Sequence, residues 1–168
     1  KLFDCLKAHK TPVIKTREPG GCLEAEHIRN FILDHKNNVQ FEAMTEALLM
    51  FAARVEHFSK TIKPALDQGK IVLCDRYMDS TFVYQGIAGG VPLNMLQQLQ
   101  NIIIGQKKPD LTFLFDMNVE DSLQRVQKRG QNEDRFERKK LCFHQKLREG
   151  FLELAQKEPN RFVILDAK

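Results

Sequence analysis

The sequence predicts an α/β fold, a parallel sheet wrapped by helices on both faces. Short segments rich in β-branched and aliphatic residues recur along the chain, at PVIKT (12–16), IVLCD (71–75), LTFLFD (111–116) and RFVILD (161–166). Each is a near-continuous apolar run rather than an alternation, the pattern of strands buried on both faces. Helical stretches fall between them, which makes the sheet parallel.

Taken in order, PVIKT is followed by the turn TREPGG (16–21), after which FEAMTEALLMFAARVEHFSKTIKPALDQG (41–69) keeps helical periodicity until Gly69. IVLCD runs into DRYMDSTFVYQG (75–86). PLNMLQQLQNIII (92–104) opens with a proline suited to a first helical turn. Residues 119–129 and about 137–157 complete the helices around LTFLFD and RFVILD. With no internal repeat, linker or low-complexity stretch, residues 1–168 read as one domain.

Composition excludes several classes. At 168 residues with 42% hydrophobic and 29% charged, the chain is an ordinary globular one, long enough to bury a core. No apolar run approaches the roughly 20 residues that span a bilayer, and the N-terminal stretch has no signal-peptide pattern, so the expectation is a cytoplasmic protein with no membrane partner. Cys5, Cys22, Cys74 and Cys142 lie far apart without metal-ligand spacing, which favours free buried thiols over a metal site or a disulfide framework. The net charge is +4, but residues 125–148 hold nine Lys or Arg against three Asp or Glu. That concentration suggests an anionic partner. No zinc-finger, RNP or basic-zipper pattern accompanies it to support nucleic acid, and a polyphosphate ligand explains the excess equally well.

In parallel sheets ligands bind beyond the carboxyl ends of the strands, and polar residues collect there. IVLCD ends in Asp75 and Arg76, a carboxylate able to serve Mg²⁺ beside a guanidinium able to clamp a phosphate; a helix-capping Asp with a solvated Arg accounts for the pair equally well. In TREPGG, Gly20 and Gly21 let backbone approach a ligand, with Arg17 and Glu18 as polar contacts and Pro19 as a rigid apolar surface. Such a turn alone is more often only a connection. Arg54 lies one turn from Met50 and Phe51, which suits a planar hydrogen-bonding ligand, although one arginine snorkelling from a core helix is the commoner case. If STFVYQ is helical, Tyr77, Thr81, Tyr84 and Gln85 share one side and converge as a base and sugar reader. RVQKRGQNEDRFERKK (125–140), with Arg125, Arg129, Arg135 and Arg138 around a glycine, reads as a mobile lid over transferring phosphates rather than as a solvated charge run.

TREPGG, LLMFAAR, DRYxDSTxxYQG, PDLT and RGxxxDRFE occur in this order over essentially all of residues 1–168, and together they resemble thymidylate kinases of the bacterial type with lid arginines. The resemblance implies the P-loop fold of nucleoside monophosphate kinases, a five-stranded parallel sheet, here without its first strand. It implies a homodimer that uses ATP and Mg²⁺ to phosphorylate dTMP in dTTP biosynthesis. Arg76 would contact the dTMP phosphate and Asp75 would serve the metal and phosphate network. Arg54 would bond the thymine carbonyl. Ser80, Thr81 and Gln85 would line the base site, Tyr84 would pack under the deoxyribose, and Arg17, Glu18, Pro19, Gly20 and Gly21 would line the dTMP site. Arg129, with Arg125 and Arg135, would supply positive charge from a lid over 125–140, and Arg129 and Arg135 would also contact ATP.

Two departures qualify the resemblance. The position that is usually aromatic for stacking on thymine is Met50, with Phe51 adjacent, so either side chain is a candidate. No GxxxxGK[ST] occurs: Gly69-Lys70 has Pro64 and Ile71 where the motif needs a glycine and a hydroxyl. KLFDCLKAHK (1–10) looks like the later part of the helix that follows the phosphate loop, and a helix expected after Asp166 is missing. The lost strand would be central, and its removal would bare neighbouring edges. The 168 residues are therefore expected to be an excerpt of a longer chain. The competing readings are a kinase for another nucleotide or a deoxynucleoside, a catalytically silent nucleotide binder, and a nucleic-acid binder resting on the basic segment.

Overall fold

The structure is a computed structural model that describes residues 1–33, 40–105, 107–129 and 141–168. The chain runs α1 (Leu2–Ala8), β1 (Val13–Arg17), α2 (Leu23–Ile32), α3 (Ala43–His57), a π-helical turn (Phe58–Ile62) and α4 (Lys63–Asp67). It continues through β2 (Ile71–Asp75), α5 (Met78–Thr81), a second π-helical segment (Phe82–Ile87), α6 (Leu93–Ile104), β3 (Thr112–Asp116), α7 (Val119–Arg129), α8 (Leu141–Lys157) and β4 (Phe162–Asp166).

All the predicted strands form, within a residue of the expected bounds, and all pair in parallel. They assemble as two pairs, with bared edges of the kind expected. β1 pairs with β2 from Val13↔Ile71 to Arg17↔Asp75, and β3 pairs with β4 from Thr112↔Phe162 to Asp116↔Asp166. No described strand joins the two pairs. Among the described residues each strand therefore keeps one edge without a ladder partner, and burial on both faces is incomplete. Phe115 is 69% exposed and Ile164 49%, although both sit in runs that read as buried.

The region 41–69 is one helical course with a changed pitch. α3 winds regularly, the turn Phe58–Ile62 widens, and Pro64 enters at the start of α4, where its missing N–H costs least. Gly69 follows with φ 70°, in the left-handed region that ends helices. α6 begins after Pro92 and stops at Gly105, φ 63°. α8 is described from Leu141, so the expected start near 137 lies outside the described residues. α2 carries no prediction from the sequence; its buried Ala25 and Ile32 stand seven residues apart on one helical stripe.

The core lies among the helices. Ala47 and Phe51 of α3, Met78 of α5, Phe82, Val91, and Leu96 of α6 form one buried cluster, with Leu154 of α8 and Tyr77 packed on it. Burying a side chain such as Phe51 or Leu96 contributes about 1.5–3 kcal/mol. Gly150 lets α8 approach Val83 and Ile87. Helices α3, α5 and α8 are thereby held around the carboxyl end of β2.

Candidate functional site

At that end the backbone turns sharply. Arg76 has φ 62°, a left-handed conformation that its Cβ makes unfavourable and that is uncommon for residues other than glycine. The turn is fixed by the Cys74 thiol donating to the Arg76 carbonyl at 3.1 Å. Burial, reinforced by the nearby Glu18 and Asp75 carboxylates, pushes the Cys74 thiol well above its ordinary range, so it stays a donor. On the adjacent strand the Glu18 amide donates to the Asp75 carbonyl at 2.9 Å, which binds the two strand ends together.

Beside these ends lies a cleft of about 260 Å³. The TREPGG turn gives Glu18 and Pro19 to its wall, α3 gives Met50 and Arg54, and the segment after β2 gives Arg76, Tyr77, Ser80, Thr81, Tyr84 and Gln85. Residues scattered over the sequence therefore converge.

Arg54 does not snorkel: it is 2% exposed. Its Nε donates to Glu18 Oε2 at 2.8 Å and its Nη2 to Thr81 Oγ1 at 3.0 Å. The guanidinium lies against the rings of Phe51 and Tyr77, with centroids at 5.1 and 5.4 Å. Nη1 is buried and has no hydrogen-bond partner among the described residues. A buried donor left open in a cleft is a place for a ligand's acceptor.

The alternative between Met50 and Phe51 resolves by position. Met50 lines the cleft, while Phe51, 1% exposed, belongs to the core and backs Arg54 from beneath. Tyr84 forms a stiff wall. Phe143 and Phe151 of α8 meet its ring edge-on at 6.2 and 6.3 Å, and Arg76 lies over it at 5.1 Å. Gln85 is 2% exposed, and its amide nitrogen donates to Glu46 Oε2 at 3.1 Å. Glu46 can only accept there, which fixes which end of the carboxamide is which. The expected helix over STFVYQ is present, but from Phe82 it is π-wound rather than α-wound. The widened pitch still brings Tyr77, Thr81, Tyr84 and Gln85 to the same cleft. Burial, then the Glu18 carboxylate, pushes the Tyr77 hydroxyl above its usual range, so it presents a proton.

Other expected residues sit elsewhere. Arg17 is held by Glu26, with Nη2 to Oε2 at 2.9 Å, and Gly21 donates its amide to Glu26 Oε1 at 2.9 Å. The Glu26 carboxyl is held below its usual range, first by that amide and then by Arg17. Arg17, Gly20 and Gly21 thus brace the turn and do not line the cleft. Their glycines are required: Gly20 has φ 128° and Gly21 φ 89°, and a Cβ would run into Glu26 at the first and into His57 and Thr16 at the second. Asp75 is exposed at the strand end, outside the cleft lining. Arg125 turns the other way, donating to the Ala167 carbonyl at 2.9 Å because α7 runs beside the end of β4. The Arg129 side chain, Arg135 and the lid over 130–140 lie outside the described residues.

The sequence reading missed several cleft residues. Arg29 and Leu33 come from the α2 region, and Arg29 donates to the Pro19 carbonyl at 2.9 Å. Ser122, Leu123 and Val126 come from α7 and His144 from α8, whose Nε2 is buried without a hydrogen-bond partner among the described residues. The i, i+4 spacing of Ser122 and Val126 was the available signal. His57, wholly buried behind the turn, was also missed.

The four cysteines are free thiols but not buried as expected, Cys5 and Cys142 being exposed and Cys22 and Cys74 half-buried, and no described His, Cys, Asp and Glu cluster could by itself hold a metal ion. Asp75 nevertheless fits Mg²⁺, which takes one or two carboxylates and completes its shell with water and substrate phosphates.

Comparison with known proteins agrees with this geometry. The family model described as thymidylate kinase matches residues 1–168. The thymidylate kinase of Syntrophotalea carbinolica is 46% identical over 172 residues, covering 99% of this chain and 79% of that protein. That of Symbiobacterium thermophilum is 45% identical, covering 99% and 76%. A solved thymidylate kinase from Ehrlichia chaffeensis superimposes with a TM-score of 0.76 at 33% identity, over 98% of this chain and 80% of that one. A buried guanidinium donor with no partner among the described residues, a second arginine on the cleft rim and these matches over nearly the whole of this chain lead to one conclusion: the chain belongs to the thymidylate kinase family.

Proposed function

We propose that the protein transfers the ATP γ-phosphoryl group to the 5′-phosphate of dTMP, giving dTDP and ADP in nucleotide biosynthesis. The observation that carries this reading is Arg54 Nη1, a buried donor without an acceptor among the described residues, at a cleft wall shared with Met50 and Tyr84. A pyrimidine carbonyl completes Arg54, Met50 offers its face an apolar contact, and Tyr84 bounds the sugar. Arg76, exposed beside the strand end, meets the phosphate with a planar fork. A dTMP phosphate oxygen, already anionic, then attacks the γ-phosphorus while the bond to ADP breaks. No general base is needed, and positioning and neutralisation carry the catalysis. Asp75, with the substrate phosphates, would hold Mg²⁺, which would supply further neutralising charge.

A homodimer is the proposed assembly. Leu48, Ala52 and Val55 fall at i, i+4 and i+7 on α3, and Leu48 and Val55 are 50% and 37% exposed, an apolar stripe suited to a second copy. No described helix is long and apolar enough to cross a membrane. A cytoplasmic location is proposed on the substrates alone.

The test is ADP release by the full-length polypeptide with ATP, Mg²⁺ and a panel of dTMP, dUMP, dCMP and thymidine. Turnover highest with dTMP is expected. Preference for dCMP or thymidine would transfer the reading to another kinase, and no turnover on any acceptor would leave a nucleotide-binding protein.

A further inference from the structure

Behind the cleft, out of reach of any ligand in it, His57 is 0% exposed and bonded through both ring nitrogens. Nδ1 lies 3.1 Å from Glu18 Oε1, and Nε2 lies 2.6 Å from Thr16 Oγ1. With the proton on Nδ1, the ring donates to Glu18 and accepts from the Thr16 hydroxyl, and every partner is satisfied. Glu18 in turn uses its other oxygen, Oε2, to hold Arg54 Nε at 2.8 Å. The chain Thr16, His57, Glu18, Arg54 therefore ends at the open Nη1. Gly21 is shaped around it, since a side chain there would occupy the place of the His57 ring and the Thr16 hydroxyl, and Thr61 fixes the Gly21 carbonyl at 2.9 Å.

We infer that His57 is a positioning residue for pyrimidine recognition: by fixing the rotamer of Glu18 it aims Nη1 of Arg54 at the base, and so sets how strongly the cleft prefers a carbonyl to an exocyclic amino group at the pyrimidine position that distinguishes uracil from cytosine. The inference rests on the proposed function. Without His57, Glu18 keeps its ion pair but gains freedom to swing. Arg54 follows it, and a donor that has lost its fixed direction discriminates acceptor from donor less well. The phosphate end is unaffected, because Arg76 belongs to another segment and is placed by the turn after β2.

The test compares the full-length protein with its His57→Ala, His57→Asn and Thr16→Val variants, each checked for a cooperative thermal transition. KM for dTMP, KM for ATP and kcat are measured, together with the ratio of kcat/KM for dUMP over dCMP. His57→Ala is expected to raise KM for dTMP on the order of tenfold and lower the dUMP preference by a similar factor, the scale of one misaligned charged hydrogen bond, with KM for ATP and kcat nearly unchanged. His57→Asn, which returns a donor at the δ position, should recover most of both effects. Thr16→Val, nearly isosteric, should show a weaker form of the His57→Ala pattern. If His57→Ala does not fold, the other two variants decide. A wild-type dUMP preference in every folded variant, parallel losses in both KM values and kcat, or no recovery in His57→Asn would overturn the inference while leaving the kinase assignment in place. Absence of dTMP turnover in the unsubstituted protein would instead remove the proposed function, and this inference with it.

Discussion

A buried guanidinium persists only where its charge and its donors are met. Arg54 satisfies that condition at Nε with Glu18 and at Nη2 with Thr81, and leaves Nη1 for a ligand. Arg54→Lys keeps a positive charge but loses the planar fork. It should lower kcat/KM for dTMP on the order of a hundredfold, with KM carrying most of the loss; steady-state kinetics checks this. Arg54→Met should also destabilise the fold by about 3 kcal/mol, because it strands the Glu18 carboxylate in the interior; denaturant unfolding measures that cost. The sequence made Arg54 a candidate through its neighbours Met50 and Phe51. It could not show burial, because a snorkelling arginine has the same spacing. Only the fold brings Glu18 from another segment to meet it.

At the level of elements, the turn after β1 was legible from its glycines, and its purpose was partly misread. Gly20 and Gly21 read as residues that let backbone meet a ligand. The space they leave is filled by Glu26 and by the His57–Thr16 pair. Gly21→Ala should therefore cost about 2 kcal/mol or more, from the left-handed backbone and the collision together, and lower the melting temperature in a thermal scan. Strands were easy to find because apolar runs bounded by polar residues are local signals. α2 and the π-wound segments were not, since winding depends on what packs against a helix. His57 was invisible for a related reason: a histidine near a helix end has no sequence signature that separates an inner brace from a surface residue.

Across the whole molecule, no ladder among the described residues joins the two strand pairs, and side chains bridge them. Arg161, beside β4, makes two bonds of 2.8 Å to Asp79 at the start of α5, and also holds Glu158 at 2.9 Å and Thr112 at 3.0 Å. Asp79→Asn should lower stability on the order of 3 kcal/mol, measured by chemical denaturation, because it removes the charge that faces a largely buried arginine. Glu158 gives a pH dependence. Its bond to Arg161, then the bond to Lys108, holds its carboxyl below the usual range. A depressed folded value means that its stabilisation is present above the unfolded value of about 4.3 and disappears as pH falls through the folded one. Glu158→Gln should thus be less stable than the unsubstituted chain at pH 7, and the difference should shrink toward pH 3. The parallel order of strands was legible in the sequence. The bared strand edges were expected as well, but the bridge from Asp79 to Arg161 was not, because that contact spans distant segments whose charges look like ordinary surface residues.

The measurement that bears most directly on the site is a crystal structure of the full-length protein with dTMP. The account predicts a thymine carbonyl oxygen at about 2.7–3.2 Å from Arg54 Nη1, an ordinary hydrogen bond, with Met50 against the ring and the phosphate at Arg76. A base bound elsewhere, or Nη1 still without an acceptor while dTMP occupies the cleft, would contradict it.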